Sequence, residues 1–201
     1  QMELAKKSIE YHKKALAIRL EIKDTINVAY SYNNIGVVFT EIIEDIDSAL
    51  VYYQKAYRIF SAKTTPWETA TTATNIGHIN LKKNNFEAAE NNFNVAYQIF
   101  DSLNIEQGMA ETLRSFGQLY FAQGKDDEAI RALKKSLNQN QLSGNQNEVI
   151  EINKILSEIY TAKGNFSKAL EVMQIASQLE DSILNLEKQK AIAEMETKYS
   201  S

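Results

Sequence analysis

The 201-residue chain contains no cysteine, a single proline and seven glycines. Without cysteine it can form neither disulfide bonds nor thiolate metal sites, and it has no thiolate nucleophile. With Pro66 as the only proline, and with so few glycines, no segment has the composition of a flexible linker. The sequence also lacks an apolar run of the roughly 18 residues that a transmembrane helix requires.

The chain also has no large excess of charge of either sign, and it has few residues of the types that commonly act in catalysis. The formal net charge is −4, and lysine pairs are scattered along the chain instead of forming the basic stripe that phosphate binding needs, so nucleic acid is disfavoured. The only histidines, His12 and His78, have no metal-binding motif beside them. Acidic clusters at 44–47 and 126–128 lie at predicted helix starts, where negative charge favours the helix dipole. We therefore expect no enzymatic activity, no cofactor and no metal site.

The sequence does contain a pattern that recurs about every 40 residues. Five segments, with small or apolar residues at helical spacing, end at Ala15, Ala56, Ala96, Ser136 and Ala176. A fixed period of this size is typical of a solenoid, in which each repeat buries its apolar face only against its neighbours. Solenoids mostly present extended binding surfaces, so the pattern favours binding over catalysis.

A second set of helical segments precedes the first, which predicts two antiparallel helices in each repeat. Its members carry a small residue at Gly36, Gly77, Gly117 and Ser157. Glycine inside a helix costs up to about 1 kcal/mol relative to alanine, so a close approach of two helix axes explains it best. Short segments at 84–86, 124–126 and 164–166 have the residues of a helix stop, a turn and a new helix start. The segment at 44–47 has the same role with one extra residue.

At these positions the chain resembles the tetratricopeptide repeat (TPR). The family's pattern of a large residue, Leu-Gly, Tyr, Ala, an aromatic residue and Ala is matched in the first full repeat by Tyr32, Ile35, Gly36, Phe39, Ala49, Tyr53 and Ala56, and in a later one by Leu113, Phe116, Gly117, Tyr120, Ala129, Leu133 and Ser136. The usual closing proline is missing, and the period is 40 instead of about 34. The resemblance implies an all-α fold, an α-α superhelix (TPR solenoid) of about 4.5 helical hairpins with a C-terminal extension helix.

We expect the TPR solenoid to cover residues 1–184, with second helices near 5–21, 46–62, 86–102, 126–141 and 166–184. Residues 185–201 are then a C-terminal connecting or capping helix. This charged segment, without glycine or proline, is similar to the connecting helix of TPR-bearing bacterial sensor histidine kinases and LuxR-like regulators. A polar cap on the last repeat explains it equally well. The chain opens directly in a second-type helix, so we also expect further sequence upstream.

In this family, residues around the glycine face a concave groove, and the resemblance places a peptide-binding site there. The matching positions are Asn33, Asn34, Thr74, Asn75, His78, Arg114, Gln118, Lys154 and Glu158. The amides of Asn34 and Asn75 can hold an extended peptide backbone, because an amide both donates and accepts. The alternative is that these amides only bridge adjacent helices. The Lys/Asn pair with which some TPR co-chaperones grip a carboxylate is absent, and Glu158 would repel one.

The sequence therefore favours a non-catalytic TPR protein–protein interaction module, the sensing or ligand-binding region of a bacterial signal-transduction protein of the two-component type. Its partner would be a protein or peptide, without direct membrane contact, and the C-terminal helix offers a route to a homodimer. The compartment would be periplasmic for the input region of a sensor kinase and cytoplasmic otherwise. The alternative is a structural scaffold that self-associates or assembles a complex.

Overall fold

The computed structural model describes the backbone of residues 2–199 and the side chains of residue 3 and residues 7–195. The described chain is all-helical, with a π-helical turn at Phe39–Ile43. Its α-helices are α1 (Met2–Glu21), α2 (Thr25–Val38), α3 (Ile46–Ala62), α4 (Pro66–Lys82), α5 (Phe86–Ser102), α6 (Glu106–Ala122), α7 (Asp126–Ser143), α8 (Gln146–Ala162) and α9 (Phe166–Tyr199). The chain forms two compact units, one up to Leu119 and one from Tyr120. The predicted fold class, an all-α TPR-like solenoid, is confirmed.

Each link between consecutive helices turns on one residue with a left-handed backbone. These residues are Lys23, Glu44, Thr64, Asn84, Asn104, Gly124, Gly144 and Gly164. Such a residue ends the preceding helix, because its positive φ turns the chain out of the helical path. From Glu44 onward they recur every 20 residues, so the 40-residue repeat is two helix-and-turn units of equal length. Only the first interval, from Lys23 to Glu44, is longer, at 21 residues.

The π-helical turn accommodates that extra residue. Thirteen positions separate Gly36 from Ala49, whereas twelve separate Gly77 from Ala89 in the next hairpin. The sequence predicted the extra residue within the 44–47 link, but the structure places it before the link, in the turn at Phe39–Ile43. There the backbone N–H of Asp45 donates to the Phe39 carbonyl across 3.0 Å. A π-helical turn is the usual way for a helix to absorb one inserted residue.

In the first unit, glycines on the first helix of a hairpin receive aromatic rings from the second. The buried ring of Tyr53 packs on Gly36, where a methyl carbon would lie only 2.8 Å from two ring atoms. The ring of Phe93 packs even more closely on Gly77. The pattern of small residues predicted these close approaches. It missed Gly108 at the start of α6, which receives the ring of Phe100 from α5.

The second unit has a continuous apolar core between α7, α8 and the first half of α9. Its fully or almost fully buried members are Ala129, Leu133, Ile152, Leu156, Ile159, Tyr160 and Ala169. Ser157 takes the place of the glycine, and its hydroxyl donates to the carbonyl of Ala169 across 3.0 Å. Helix α9 continues without a break to Tyr199, and Leu186, Ile192 and Met195 on its second half are exposed.

We predict that Gly77→Ala lowers the free energy of unfolding by about 1–3 kcal/mol, because the added methyl group overlaps the Phe93 ring. Urea unfolding followed by circular dichroism measures the change. In a Phe93→Leu background, where the ring is absent, the same substitution should cost distinctly less. An equal cost in both backgrounds would show that the glycine is not there for the ring.

Candidate functional site

The structure distributes the predicted groove residues over both units. Seven lie on α2, α4 and α6 of the first unit: Asn33, Asn34, Thr74, Asn75, His78, Arg114 and Gln118. Lys154 and Glu158 lie on α8 of the second unit. The candidate site is therefore the group of seven residues in the first unit.

The asparagines of the first unit differ in their surroundings. The amide nitrogen of Asn75 donates to the side-chain oxygen of Asn33 across 3.4 Å, which links α4 to α2. Asn34, which the sequence paired with Asn75, is exposed beside this contact. Thr74 is buried, and its hydroxyl donates to the carbonyl of Ala70 in its own helix across 3.1 Å. The face shared by α2 and α4 thus offers Asn34 and the Asn33–Asn75 pair, while the hydroxyl of Thr74 is used inside α4.

A cavity of about 380 Å³ opens beside this pair. It is bounded by the π-helical turn, α3, α4 and α6 through Thr40, Glu41, Tyr53, Asn75, His78, Leu81, Lys82 and Gln118. The sequence prediction contained three of these residues, Asn75, His78 and Gln118. The sequence prediction included only residues close to the glycines. It missed the residues one helical turn further along, such as Leu81 and Lys82. The repeat pattern could have identified these residues. Thr40 and Glu41 lie four and five positions after Gly36, and Leu81 and Lys82 lie four and five positions after Gly77.

His78 is the most perturbed titratable group of this cavity. Burial, followed by the charges of Arg114 and Lys82, lowers the pKa of His78 to about 4. The imidazole is therefore neutral at pH 7, with its ring edge-on to Phe93 at 5.1 Å between centroids.

A contact with Ser115 ties the His78 imidazole to α6. Its Nε2 lies 3.1 Å from the Ser115 hydroxyl, and the oxygen of that hydroxyl lies 3.1 Å from the Glu111 carbonyl. The single hydroxyl hydrogen can be donated to either acceptor, so both tautomers of the neutral ring fit this contact.

Tyr53 supplies a hydroxyl at the wall of the same cavity. Thr40 on the π-helical turn lies within hydrogen-bond distance of that hydroxyl, 3.2 Å between oxygens. Burial raises the pKa of Tyr53, and the charge of Glu41 acts in the same direction, so the hydroxyl stays protonated at neutral pH. The equivalent ring in the next hairpin is Phe93, which has no hydroxyl, so this polar wall belongs to the first hairpin alone among these two.

In the second unit, Lys154 is held by carboxylates of two helices. Its ammonium group lies 3.1 Å from Glu151 on α8 and 2.8 Å from Glu180 on α9. The hydrogen bond to Glu180, and then that to Glu151, raises the pKa of Lys154. Glu158, one helical turn further along α8, is exposed. The sequence gave no signal for this ion pair, because Lys154 and Glu180 belong to different helices.

Within the described part of the chain, no cluster of three or more histidine, aspartate and glutamate side chains could hold a metal ion. In the same residues, no helix combines the length and the apolar character needed to cross a membrane.

Consecutively packed helical hairpins with ring-on-glycine contacts define an all-α repeat protein of the solenoid class. Family models then give the repeat its name: tetratricopeptide repeat models match residues 1–62 and 111–141. These two segments are therefore similar to tetratricopeptide repeats, as the sequence pattern indicated. The fold is consistent with a protein–protein interaction module. The sequence is not significantly similar to that of any curated protein.

Solved structures share the fold at low identity. Aspartyl phosphate phosphatase F from Bacillus subtilis superposes with a TM-score of 0.80 at 18% identity, over 90% of this chain and 49% of that protein. A Rap protein complexed with competence and sporulation factor gives 0.77 at 18% identity, over 90% and 52%. The Rap conjugation gene regulator of plasmid pLS20, in complex with the Phr* peptide, gives 0.73 at 15% identity, over 90% and 50%. The chain spans about half the length of these three proteins.

The pKa of His78 predicts a dependence of stability on pH. Between pH 6.5 and about 4, the unfolded chain binds a proton at this residue that the folded chain does not. The free energy of unfolding is therefore unaffected by His78 above pH 6.5. It falls as the pH is lowered from 6.5 toward 4, because protonation of His78 then favours the unfolded chain. In His78→Gln, the loss of unfolding free energy over this interval should be smaller by about 2 kcal/mol.

Urea unfolding at a series of pH values measures this difference. His12→Gln, which removes the other imidazole of the chain, is the matched control. If His78→Gln and the unsubstituted chain lose the same free energy over the interval, His78 is not buried as a neutral ring.

Proposed function

We propose that the first unit binds an extended peptide along the inner surface of α2, α4 and α6. The observation that carries this proposal is the concentration of side-chain amides there, with Asn75 and Gln118 lining one cavity and Asn34 exposed beside Asn33. An amide can donate to a peptide carbonyl and accept from a peptide N–H at the same time. An inner surface of this composition can therefore hold a backbone without reading its sequence.

The structural relatives support the same function. Two of the three Rap-related or phosphatase structures described above are complexes, one with competence and sporulation factor and one with the Phr* peptide. We infer by this likeness that the ligand of the present chain is a peptide or an extended protein segment. Arg114 on α6 adds a positive charge to the inner surface, which favours acidic side chains in that ligand.

We further propose that the chain is the sensing region of a bacterial signal-transduction protein. One solved relative is named a gene regulator and another an aspartyl phosphate phosphatase, and this chain matches about half of each. Helix α9, 34 residues long, extends well past the core of the second unit and is suited to connect the repeats to an output domain. The proposal assigns binding, not catalysis, to the present residues.

A second candidate function is self-association as a scaffold, and α9 is the observation that favours it. On the half of α9 after Asn185, the side chains of Leu186, Ile192 and Met195 are 53%, 57% and 59% exposed. Ile192 and Met195 are three residues apart and therefore lie on one face of this highly charged helix, which suits them to weak pairing with a second copy. Weak pairing of α9 would also suit a helix that transmits a signal, because the paired and unpaired arrangements of such a helix must differ in free energy by only a few kcal/mol.

We predict that Asn34→Ala combined with Asn75→Ala weakens peptide binding about tenfold, because two amide hydrogen bonds to the peptide backbone are lost. Peptides selected from a random library on the whole chain, then measured by fluorescence anisotropy, give the affinities. Asn91→Ala with Asn94→Ala, on the exposed face of α5, is the matched control and should bind normally. Undiminished binding by the Asn34/Asn75 variant, with helicity intact, would place the peptide on another surface.

Sedimentation analysis of the chain against a version ending at Asn185 tests the self-association candidate. If the exposed half of α9 pairs, the full chain should dimerise reversibly and the shortened chain should remain a monomer of equal thermal stability. A monomer in both cases, with a lowered thermal midpoint after shortening, would identify the segment as a cap on the second unit.

A further inference from the structure

The second unit contains a cavity of its own, called here the second-unit cavity. Its volume is about 370 Å³, and it lies between the end of α7, the start of α8 and the middle of α9. Its lining consists of Asn140, Gln141, Gly144, Gln146, Val149, Ile175, Gln178 and Leu179. All of these residues belong to the second unit, so a ligand here does not depend on the peptide binding proposed for the first unit.

The repeat register explains why a cavity opens at this place. In the first unit, the buried ring of Phe100 at the end of α5 belongs to the same apolar cluster as Met109 near the start of α6. The positions one repeat later are Asn140 and Val149, and both line the second-unit cavity. Both replacements remove side-chain volume. The second unit therefore lacks apolar volume that the first unit has at the same two positions.

The side chain of Asn140 is held against its own helix. Its amide nitrogen donates to the Ser136 carbonyl across 2.9 Å and lies 3.3 Å from the Ser136 hydroxyl. Ser136 is four residues earlier in α7, so these contacts direct the amide back along the helix. With only 3% of its surface exposed, Asn140 is a fixed wall of the second-unit cavity.

The second-unit cavity combines an apolar floor with an uncharged polar rim. Val149 is buried, Leu179 is half-buried and Ile175 is 39% exposed. Three exposed side-chain amides border these apolar groups, and they belong to Gln141, Gln146 and Gln178. Among the described residues that line the cavity, none is charged. A charged ligand would find no counter-charge there, whereas an apolar group with amides at its edge would match both floor and rim.

We propose that the second-unit cavity binds an aromatic side chain of an uncharged segment of a partner protein. The ring supplies the apolar volume that Phe100 supplies in the first unit. A cavity of about 150 Å³ can hold a benzene molecule. At about 370 Å³, the second-unit cavity can admit a ring together with part of the backbone that carries it. The glutamine amides of the rim donate to carbonyls of that backbone and accept from its N–H groups.

NMR of the whole chain tests the site, because one of three equivalent turn glycines lines the cavity. Gly144 is in the lining, whereas Gly124 and Gly164 have the same left-handed backbone outside it. The probe is N-acetyl-L-phenylalaninamide, which carries a ring between two amides and has no charge. The alanine derivative lacks the ring, and the leucine derivative replaces it with an aliphatic group of similar size.

The phenylalanine derivative should shift the backbone amide signal of Gly144 in a saturable manner and leave those of Gly124 and Gly164 unchanged. The alanine derivative should shift none of the three, and the leucine derivative should bind more weakly than the phenylalanine derivative. Equal responses of the three glycines, or equal binding of the phenylalanine and leucine derivatives, would overturn the proposal.

Filling the cavity from within should exclude the probe. Asn140→Phe restores the ring of the first-unit register and should weaken probe binding about tenfold or more, because the apolar floor is then covered. Val149→Met, which restores the residue type of Met109, is a second filling variant and keeps the test open if Asn140→Phe does not fold. Circular dichroism checks the fold of each. Undiminished binding by a folded filling variant would contradict the proposed position of the ring.

A matched pair of glutamines on α9 tests the rim. Gln178→Ala should weaken probe binding about fivefold, because one amide hydrogen bond to the probe is lost. Gln174→Ala is the control, since Gln174 is exposed one helical turn earlier and lies outside the lining. Equal effects of the two substitutions would show that the rim does not hold the ligand.

Two further measurements test whether the occupant is a segment of a partner protein. A capped peptide with phenylalanine between two pairs of alanines should bind more tightly than the single-residue probe, because it brings more backbone amides to the rim. Equal affinities would overturn a protein segment as the ligand. Dilution of the chain without any probe should leave the Gly144 signal in place. A shift that depends on protein concentration would assign the cavity to a second copy of the chain and overturn the proposal.

Discussion

The contact of an aromatic ring with a helical glycine is the constraint on which the first unit depends. Tyr53 on Gly36 and Phe93 on Gly77 bring the two helices of each hairpin closer than any larger residue would allow. The ring of Phe93 also lies 5.1 Å from the imidazole of His78 and 5.8 Å from the ring of Phe116 on α6. The same side chain therefore packs the hairpin and forms part of the surroundings of the candidate site. A change at this contact would alter stability and site geometry together.

Regular spacing makes the single irregularity of the chain informative. Left-handed residues at 20-residue intervals build nearly identical helical units, and only the first interval has 21 residues. The insertion leaves the glycine–ring contact intact, because Tyr53 still reaches Gly36 in the lengthened hairpin. Its effect is confined to the end of α2, where the π-helical turn presents Thr40 and Glu41 to the cavity. One inserted residue can thus alter the lining of a single cavity while the glycine–ring contact that packs the hairpin is kept.

Sequence reasoning succeeded where structure follows from a local period. The repeat register located the helices, their turns, and Gly36 and Gly77 under their aromatic rings, since these depend on positions within one hairpin. It could not decide which asparagine bridges two helices, because Asn33 and Asn34 differ by only about 100° around α2 and the deciding partner, Asn75, lies on another helix. The engagement of Lys154 by Glu180 and the position of the π-helical turn were missed for the same reason. Both are set by tertiary packing.

The hydrogen bonds of the polar residues on the inner helices separate structural groups from groups that a ligand can use. The buried hydroxyls of Thr74 and Thr112 donate to a carbonyl four residues earlier in their own helix. The hydrogen atoms of these two hydroxyls are therefore already used within their own helices, whether or not a ligand is present. Asn75, by contrast, has its partner on a different helix at 3.4 Å, a long and therefore weak hydrogen bond.

A cross-helix hydrogen bond of this kind can be exchanged for one to a ligand without breaking any bond within a helix. The separation of the two helices in each hairpin would not change on exchange, because it is fixed by the aromatic rings on the glycines. The site is therefore preorganised, and little conformational entropy is lost when a peptide binds. This combination, rigid apolar contacts beneath exchangeable polar ones, explains why the polar residues of the cavity are suited to recognition although most polar residues nearby serve only the fold.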